Sequence, residues 1–572
     1  MKKRILIGAE SFEEIIQGNY FYVDKTLFIN ELLENKGKVT LITRPRKFGK
    51  TLNMSMLEHF FDITKDNSAL FDGLDISKHE ETVSNHMNKY PVVFLSLKDA
   101  EDRNYANAIE IITDLVAALY RQKRYLYESE KLSSEQKEIF YTYLTSKATE
   151  GKLKSALKFL VECLYTYHQK RVVVLLDEYD IPIDSAARKG YFDDMVNFMR
   201  GFMGGVFKTN DFLEFGVLTG VQRVSRESLV SSFNNPKICG IMSTVFSTCF
   251  GFTEDEVKNI CETYGLGGSY DGVRRWYDGY RFGGRDMYNP WSITGFLCEN
   301  EFKNYWVNTG GTTILEDIFI KGTPALKDDM AGLLTGTPIK MNYVEQIKYP
   351  IPYEKDDIFW SMLLNTGYIK PCVGSVGDVF FAELVNKEVR DVFTKCVEYW
   401  YKKQQTTIHN TVREFVGFLL QGDAESVSNV LNEDLLNNPR WNRKNIRTSR
   451  RDGFFRRKNF LCHDFKDENS YHMFIYGILL AVSSDYIVYS NPESGKGRSD
   501  CLIKPDDKSK YAVVIEFKHQ SKDGDDLYED AQRGLEQIED KKYIHTLKRE
   551  GYQNIYKYSI AFHKKMCVVV MG

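Results

Sequence analysis

The sequence predicts an α/β protein: a parallel sheet flanked by helices, a helical middle region, and a second, smaller mixed α/β body. Three observations predict it. Apolar runs of strand length that end in polar residues alternate with helix-period segments between residues 39 and 225. A Gly-Lys-Thr triplet stands between the first such run and a helix. From residue 468 onward the order reads helix, three strands, helix and two strands, with carboxylates and a lysine set into the strands.

Bulk properties narrow the class. A chain of 572 residues has room for about three or four domains. Hydrophobic content of 43% and charged content of 27% exclude collagen-like, low-complexity and disordered chains. The net charge of −3 excludes a whole-chain nucleic-acid signature, so any basic surface is local. None of the 10 cysteines falls in a C-x-x-C spacing, which speaks against a zinc ribbon or a redox pair and for scattered reduced thiols. The opening MKKRILIGAESFEE is too short in apolar residues for a secretory signal, and no run approaches the ~20 apolar residues of a membrane span. The expectation is a soluble, cytoplasmic protein with no membrane partner. Its boundaries are expected at 1–245, 246–395 and 396–572.

Val39–Thr43 reads as a buried strand, and Leu52, Met54, Met56, Leu57, Phe60 and Phe61 follow with helical spacing. Between them lies RPRKFGKT. Backbone N–H groups and the dipole at a helix N-terminus favour phosphate there. Lys50 is expected to reach β- and γ-phosphates, and the Thr51 hydroxyl to hold Mg²⁺. Arg46, Phe48 and Gly49 complete the expected contact. The pattern departs from GxxxxGK[ST] because Arg44 stands at the first glycine. Arg44, Arg46 and Lys47 either assist phosphates or form a solvated loop.

The stretch RVVVLLDEYD (171–180) supplies the partner that such a loop needs. A second buried strand ends in Asp177, expected at Mg²⁺, and Glu178, expected to polarise an attacking water. Asp180 reads as loop-shaping. PVVFLSLKD (91–99) and FLEFGVLTGVQRVS (212–225) give two more strands. Thr219 stands at the tip of the latter to sense a γ-phosphate. Arg223 and Arg226 beyond it either clamp phosphate, in cis or from a neighbouring copy in a homo-oligomer, or are surface arginines.

These residues carry a resemblance. YFYVDKTLFINELL, LITRPRKFGKTLNMSML, VVVLLDEYDIPI and VLTGVQRVSRESLVSSFNN resemble the AAA-ATPase-like family of P-loop proteins, related to the archaeal-ATPase and STAND groups, over about residues 5–390. The likeness implies ATP as ligand and Arg44 as a family feature. It also implies a role near the nucleotide for Asp24, Lys25 and Thr26, although helix capping by Asp24 explains YVDKT equally well. For the middle region it implies a helical lid and a winged-helix-like module. Thr253 and Glu256 there form a capping box. The aromatic stretch 276–297 reads chiefly as packing. The module, over DIFWSMLLNTGYIK and VNKEVRDVFTKCVEYWY, touches either DNA or another subunit.

In the last third, residues 439–460 hold nine Arg or Lys and one Asp, interleaved with Trp441, Phe454, Phe455 and Phe460. The segment is either a nucleic-acid contact or a solvated linker. Next, Asp500 interrupts a strand expected at 498–504. Glu516 and Lys518 share one face of the strand at 511–518, being two residues apart. Carboxylates there suit Mg²⁺ or Mn²⁺. Lys518 is expected to orient the attacking water, and Glu468 to complete the metal site. With its flanking helices this region resembles the PD-(D/E)XK nuclease fold over about 405–572, with Ser499 in place of the motif's proline. The likeness implies roles for Asp500, Glu516 and Lys518, and Gln537 and Tyr543 resemble a later Gln…Tyr element. The expected function is an ATPase coupled to metal-dependent cleavage of DNA, which family context associates with defence against foreign DNA or with mobile-element biology. The alternative is an ATP-driven switch or scaffold whose nuclease-like part only binds nucleic acid or partners.

Overall fold

The structure, a computed structural model, describes residues 2–208, 210–224, 236–306, 315, 324–347, 356–372, 379–394 and 408–436. It also describes 471–572 apart from 473–474, 477–478, 480–485, 491–492, 495–496, 499, 506, 521–525, 542–543 and 565. The chain divides into two compact units. One comprises 1–314, 321–326 and 338–391, the other 315–320, 327–337 and 392–572.

The first unit is built on five parallel strands: β1 (Val39–Thr43), β2 (Val92–Ser96), β3 (Val172–Asp177), β4 (Leu213–Gly220) and β5 (Lys237–Cys239). Their spatial order is β2-β3-β4-β1-β5. β1, β3 and most of β4 are buried on both faces, which explains their near-continuous apolar sequence. Helices Tyr105–Gln122, Ala156–His168 and Phe192–Phe207 cover the sheet and share its apolar core. In this order the C-terminal ends of β1, β3 and β4 lie side by side, where open α/β sheets bind ligands.

Beyond this sheet the unit carries a small lid-like region. Its strands β6 (Phe252–Thr253), β7 (Tyr280–Phe282) and β8 (Arg285–Tyr288) pair in the order β6-β8-β7. Helix Glu254–Thr263 opens on the expected capping box, Thr253 with Glu256. Tyr277, Tyr280, Phe282 and Tyr288 are buried, so the aromatic stretch is packing. A further module holds β9 (Ile339–Asn342), helix Asp356–Thr366, β10 (Ile369–Pro371) and β11 (Val379–Leu384). The antiparallel order β10-β11-β9 makes a winged-helix-like sheet. Glu388, fully buried, ties this unit together. Its carboxylate accepts from Ser292 Oγ (2.7 Å) and from the N–H groups of Tyr305 (2.5 Å) and Trp306 (2.6 Å).

The second unit is a mixed sheet. Strands β12 (Tyr486–Ser490), β13 (Glu493–Ser494), β14 (Gly497–Arg498), β15 (Cys501–Pro505), β16 (Ala512–His519), β17 (Ile555–His563) and β18 (Met566–Met571) are defined. The pair β13–β14 stands apart from the main sheet, whose order is β12-β15-β16-β17-β18. Only β16 and β17 run parallel, because helix Leu527–Asp540 crosses over between them. That helix approaches closely at Gly534, where a Cβ would collide with Ser559 Oγ. The edge strand β18 is covered by the 424–435 helical segment. The Asn432 side chain donates to Cys567 O (2.9 Å) and accepts from Cys567 N (2.8 Å). Among the described residues no helix is long and apolar enough to cross a membrane.

Candidate nucleotide and metal sites

The loop between β1 and helix Lys50–Phe61 has two left-handed residues, Lys47 (φ 65°) and Gly49 (φ 82°). A Cβ on Gly49 would meet nothing within 4 Å, so the helix N-terminus is open on that side. Phe48 anchors the loop: it is buried, with Tyr280 and Phe282 edge-on at 4.8 and 5.0 Å. The Arg46 carbonyl accepts from Trp306 Nε1 (3.2 Å) and Asn289 Nδ2 (3.4 Å). Lys47 Nζ lies 4.3 Å over Trp291.

Lys50 is 4% exposed. Its ammonium donates to the carbonyls of Arg44 (3.2 Å) and Pro45 (3.1 Å) and pairs with Glu178 Oε1 at 3.2 Å. Glu178 has φ 52°, a left-handed conformation costing a non-glycine residue roughly 1–2 kcal/mol, and its Oε2 is buried without a partner. Asp177 at the end of β3 gathers three hydroxyls: Thr51 Oγ1 (2.7 Å), Ser96 Oγ (3.3 Å) and Thr219 Oγ1. Burial, then the adjacent Glu178, pushes its pKa up, against the hydroxyl donors and Lys50. Asp180 braces the strand exit. Its Oδ2 accepts from Val221 N (2.9 Å) and Gln222 N (2.7 Å), and burial with Glu178 pushes its pKa up to about 7.

In the second unit, the β15–β16 register pairs Cys501 with Ile515, so Asp500 comes opposite Glu516. Asp500 stands in a bend before β15 and so interrupts the run expected as one strand at 498–504. Its Oδ2 accepts the Phe517 N–H at 2.6 Å, just beyond the Cys501–Ile515 pair. Lys518 Nζ lies 3.2 Å from Glu516 Oε1, and Gln537 Nε2 donates to the same oxygen. Glu516 is buried and Asp500 partly so, and burial raises the Asp500 pKa against the Phe517 N–H and Lys518. His472, also buried, hydrogen-bonds the Asp500 backbone, and burial pushes its pKa down to about 4.

Residues 6–230 match the model of a family described as predicted AAA-ATPase, and residues 466–571 match that of the PD-(D/E)XK nuclease superfamily. The chain joins an AAA-ATPase-like domain to a PD-(D/E)XK-superfamily domain. An uncharacterized protein in the vnfD 5′ region of Azotobacter chroococcum mcd 1 is 29% identical over 340 residues, 58% of this chain. The chain matches 59% of that relative's length. A solved structure, the Aeropyrum pernix ORC2 protein in ADPNP–ADP complexes, is 13% identical, covering 65% of this chain and 92% of that one. Its TM-score is 0.22, so the fold assignment rests on the strand orders above rather than on that likeness.

In the AAA-ATPase-like domain the expected Lys50, Thr51, Asp177, Glu178 and Thr219 come together at one end of the sheet. Arg46 and Phe48 serve the loop through a backbone carbonyl and through packing. Arg223 is held in an ion pair with Glu345. Arg226 lies outside the described residues. For YVDKT the expected capping by Asp24 is not found: Thr26 is the N-cap of helix Leu27–Asn35, and that cap makes no capping side-chain hydrogen bond. Asp24 accepts from Thr26 N (2.8 Å) and Thr26 Oγ1 (2.6 Å), and Lys25 pairs with Glu256 at 2.7 Å. Ser96 was not singled out, although its polar place at the end of an apolar run was the available signal. In the PD-(D/E)XK domain Lys518 and Gln537 meet at Glu516 Oε1 and Asp500 bonds the neighbouring Phe517 N–H, whereas Glu468, Tyr543 and the basic segment 439–460 lie outside the described residues. Among the described residues no group of three or more His, Cys, Asp or Glu side chains has metal-ligand geometry. The donor sets present, a hydroxyl with a carboxylate and a pair of carboxylates, are the hard oxygen donors that Mg²⁺ or Mn²⁺ takes.

Proposed function

We propose that the chain binds and hydrolyses ATP and couples that cycle to a metal-dependent DNA phosphodiesterase, in parts spanning 1–245, 246–395 and 396–572. The observation that carries this reading is the closure of the β1 and β3 ends on each other through Thr51–Asp177 (2.7 Å) and Lys50–Glu178 (3.2 Å). Thr51 and Asp177 would hold the Mg²⁺ of Mg-ATP, which supplies charge neutralisation for the phosphates. An incoming triphosphate takes Lys50 from Glu178. The carboxylate so released is a base for the attacking water, and Thr219 stands at the γ-phosphate end.

In the second unit Asp500 and Glu516 would hold Mg²⁺ or Mn²⁺, which supplies Lewis acidity at the scissile phosphate. Lys518 orients the water and stabilises the charge that grows on phosphate, while Gln537 fixes the Glu516 carboxylate. Arg223 contributes to the nucleotide site only if it leaves Glu345. Phosphate release by wild type and Glu178→Gln tests the first half; turnover unchanged in the variant sinks it. Plasmid incubated with Mg²⁺ or Mn²⁺, with and without ATP, tests the second against Asp500→Ala. A second reading, an ATP-driven switch that holds nucleic acid without cutting it, is favoured by Glu516 Oε1 being taken up by Lys518 and Gln537. It predicts intact plasmid with wild type and variant alike.

A further inference from the structure

Arg44 occupies the place of the glycine that usually opens a phosphate-binding loop, and the fold has buried it completely. Its Nη1 donates to the carbonyls of Thr43 (2.8 Å), Cys239 (2.9 Å) and Gly240 (3.0 Å), and its Nη2 to that of Phe246 (2.9 Å). Two rings flank the guanidinium, Phe250 at 5.5 Å and Phe282 at 5.1 Å. This is a cage for a flat cation, lined by carbonyl dipoles and aromatic faces. The cage is assembled from the end of β1, the exit of β5 and the segment leading to the lid-like region. On its main-chain side the same residue donates its N–H to Gly220 O (3.1 Å) and offers its carbonyl to Lys50 Nζ (3.2 Å).

We infer that Arg44 is the positioning residue of the nucleotide site: its caged guanidinium fixes the carbonyl that holds Lys50 in place for the phosphates. The inference rests on the ATP-binding reading above. A glycine opening leaves a loop free to form around its ligand. Here the loop is fastened beforehand to β5 and to the 246–250 segment, and only a planar group with several donors spans carbonyls on both. A lysine would supply charge to one of them. Removing the side chain takes a donor from four buried carbonyls, of which Gly240 O also accepts from Ser243 N (3.1 Å), and the loop beside them shifts.

The test is binding of a fluorescent ATP analogue to the full chain, wild type against Arg44→Ala and Arg44→Lys. The expected result is affinity weaker by about tenfold or more in both variants. Millimolar guanidinium chloride should restore part of the loss in Arg44→Ala, whereas sodium chloride of equal strength should not, since the cage fits only the planar ion. A role in stability alone would lower the melting temperature without guanidinium-specific recovery of binding. Should Arg44→Ala not fold, Arg44→Lys decides: affinity equal to wild type overturns the inference. So does a loss in Arg44→Ala that guanidinium and sodium restore equally. A wild type that binds no ATP overturns the reading of the site itself, and this inference falls with it.

Discussion

Glu388 makes a stringent test of the packing of the first unit. Its carboxyl is fully buried, and burial raises its pKa from 4.5 to about 7 despite three donors, Ser292 Oγ and the N–H groups of Tyr305 and Trp306. In the unfolded chain a glutamate titrates near ~4.3. Between those values the folded state binds the extra proton, so stability falls as pH rises from about 4.5 to about 7. At 1.36 kcal/mol for each tenfold change, the full loss is on the order of 3 kcal/mol. Glu388→Gln keeps the geometry. The amide oxygen still accepts from the two N–H groups, and its NH₂ can donate to the serine hydroxyl, which reverses its role. The variant should therefore match wild type near pH 5 and exceed it by about 1–3 kcal/mol at pH 8. The assay is urea unfolding followed by tryptophan fluorescence across pH 5–8. Trp306 reports on the segment this carboxyl ties down. Asp180 and Asp177 carry shifts of the same sign, so the difference between the two proteins, not the wild-type slope, is the measurement. Parallel pH profiles would refute the claim that Glu388 is protonated in the fold.

Lys50→Ala removes the ammonium shared by two loop carbonyls and Glu178, and isothermal titration should show ATP affinity lowered by about tenfold to a hundredfold, as expected for a charge-assisted contact. Gly220→Ala places a Cβ 2.5 Å from Asp180 Oδ1 and 2.8 Å from the Tyr179 ring, and thermal denaturation should register a loss of about 1–3 kcal/mol. Lys518→Ala should abolish plasmid cleavage while leaving ATP turnover intact, which gel and phosphate-release assays on one preparation will show.

How much of this was legible depended on the range of the interaction. The β1–loop–helix unit was readable because a strand's period gives way to a helix's within a dozen or so residues. Asp177 was readable because an acid directly after five buried apolar residues needs a reason, and the matching loop supplied it. Glu516 and Lys518 were readable from the two-residue alternation of a strand. Asp500 was readable as a break in a strand, but its partner was not. Nothing local announces that its carboxylate takes the Phe517 N–H, 17 residues away. Arg44 was ambiguous for the same reason, because its acceptors Cys239 and Phe246 lie 195 and 202 residues away. The partner of Arg223 is likewise 122 residues distant, which left a free phosphate clamp and a surface arginine equally open. Periodicity reports which face is buried. It carries no information on which distant polar group meets a buried charge.

The side-chain amide of Asn432 has a consequence for how copies of this chain coexist. The final strand, MCVVVM, is apolar and β-branched at its centre, the composition that templates strand addition from another molecule. By taking both main-chain groups of Cys567, Asn432 interrupts the row of donors and acceptors that an invading strand would read. The helical segment that carries it therefore works as a guard against sheet-to-sheet growth as well as a packing element. A chain that begins after residue 436 but still ends in β18 loses Asn432, would present that row uncovered, and would precipitate at concentrations where the intact protein stays dispersed.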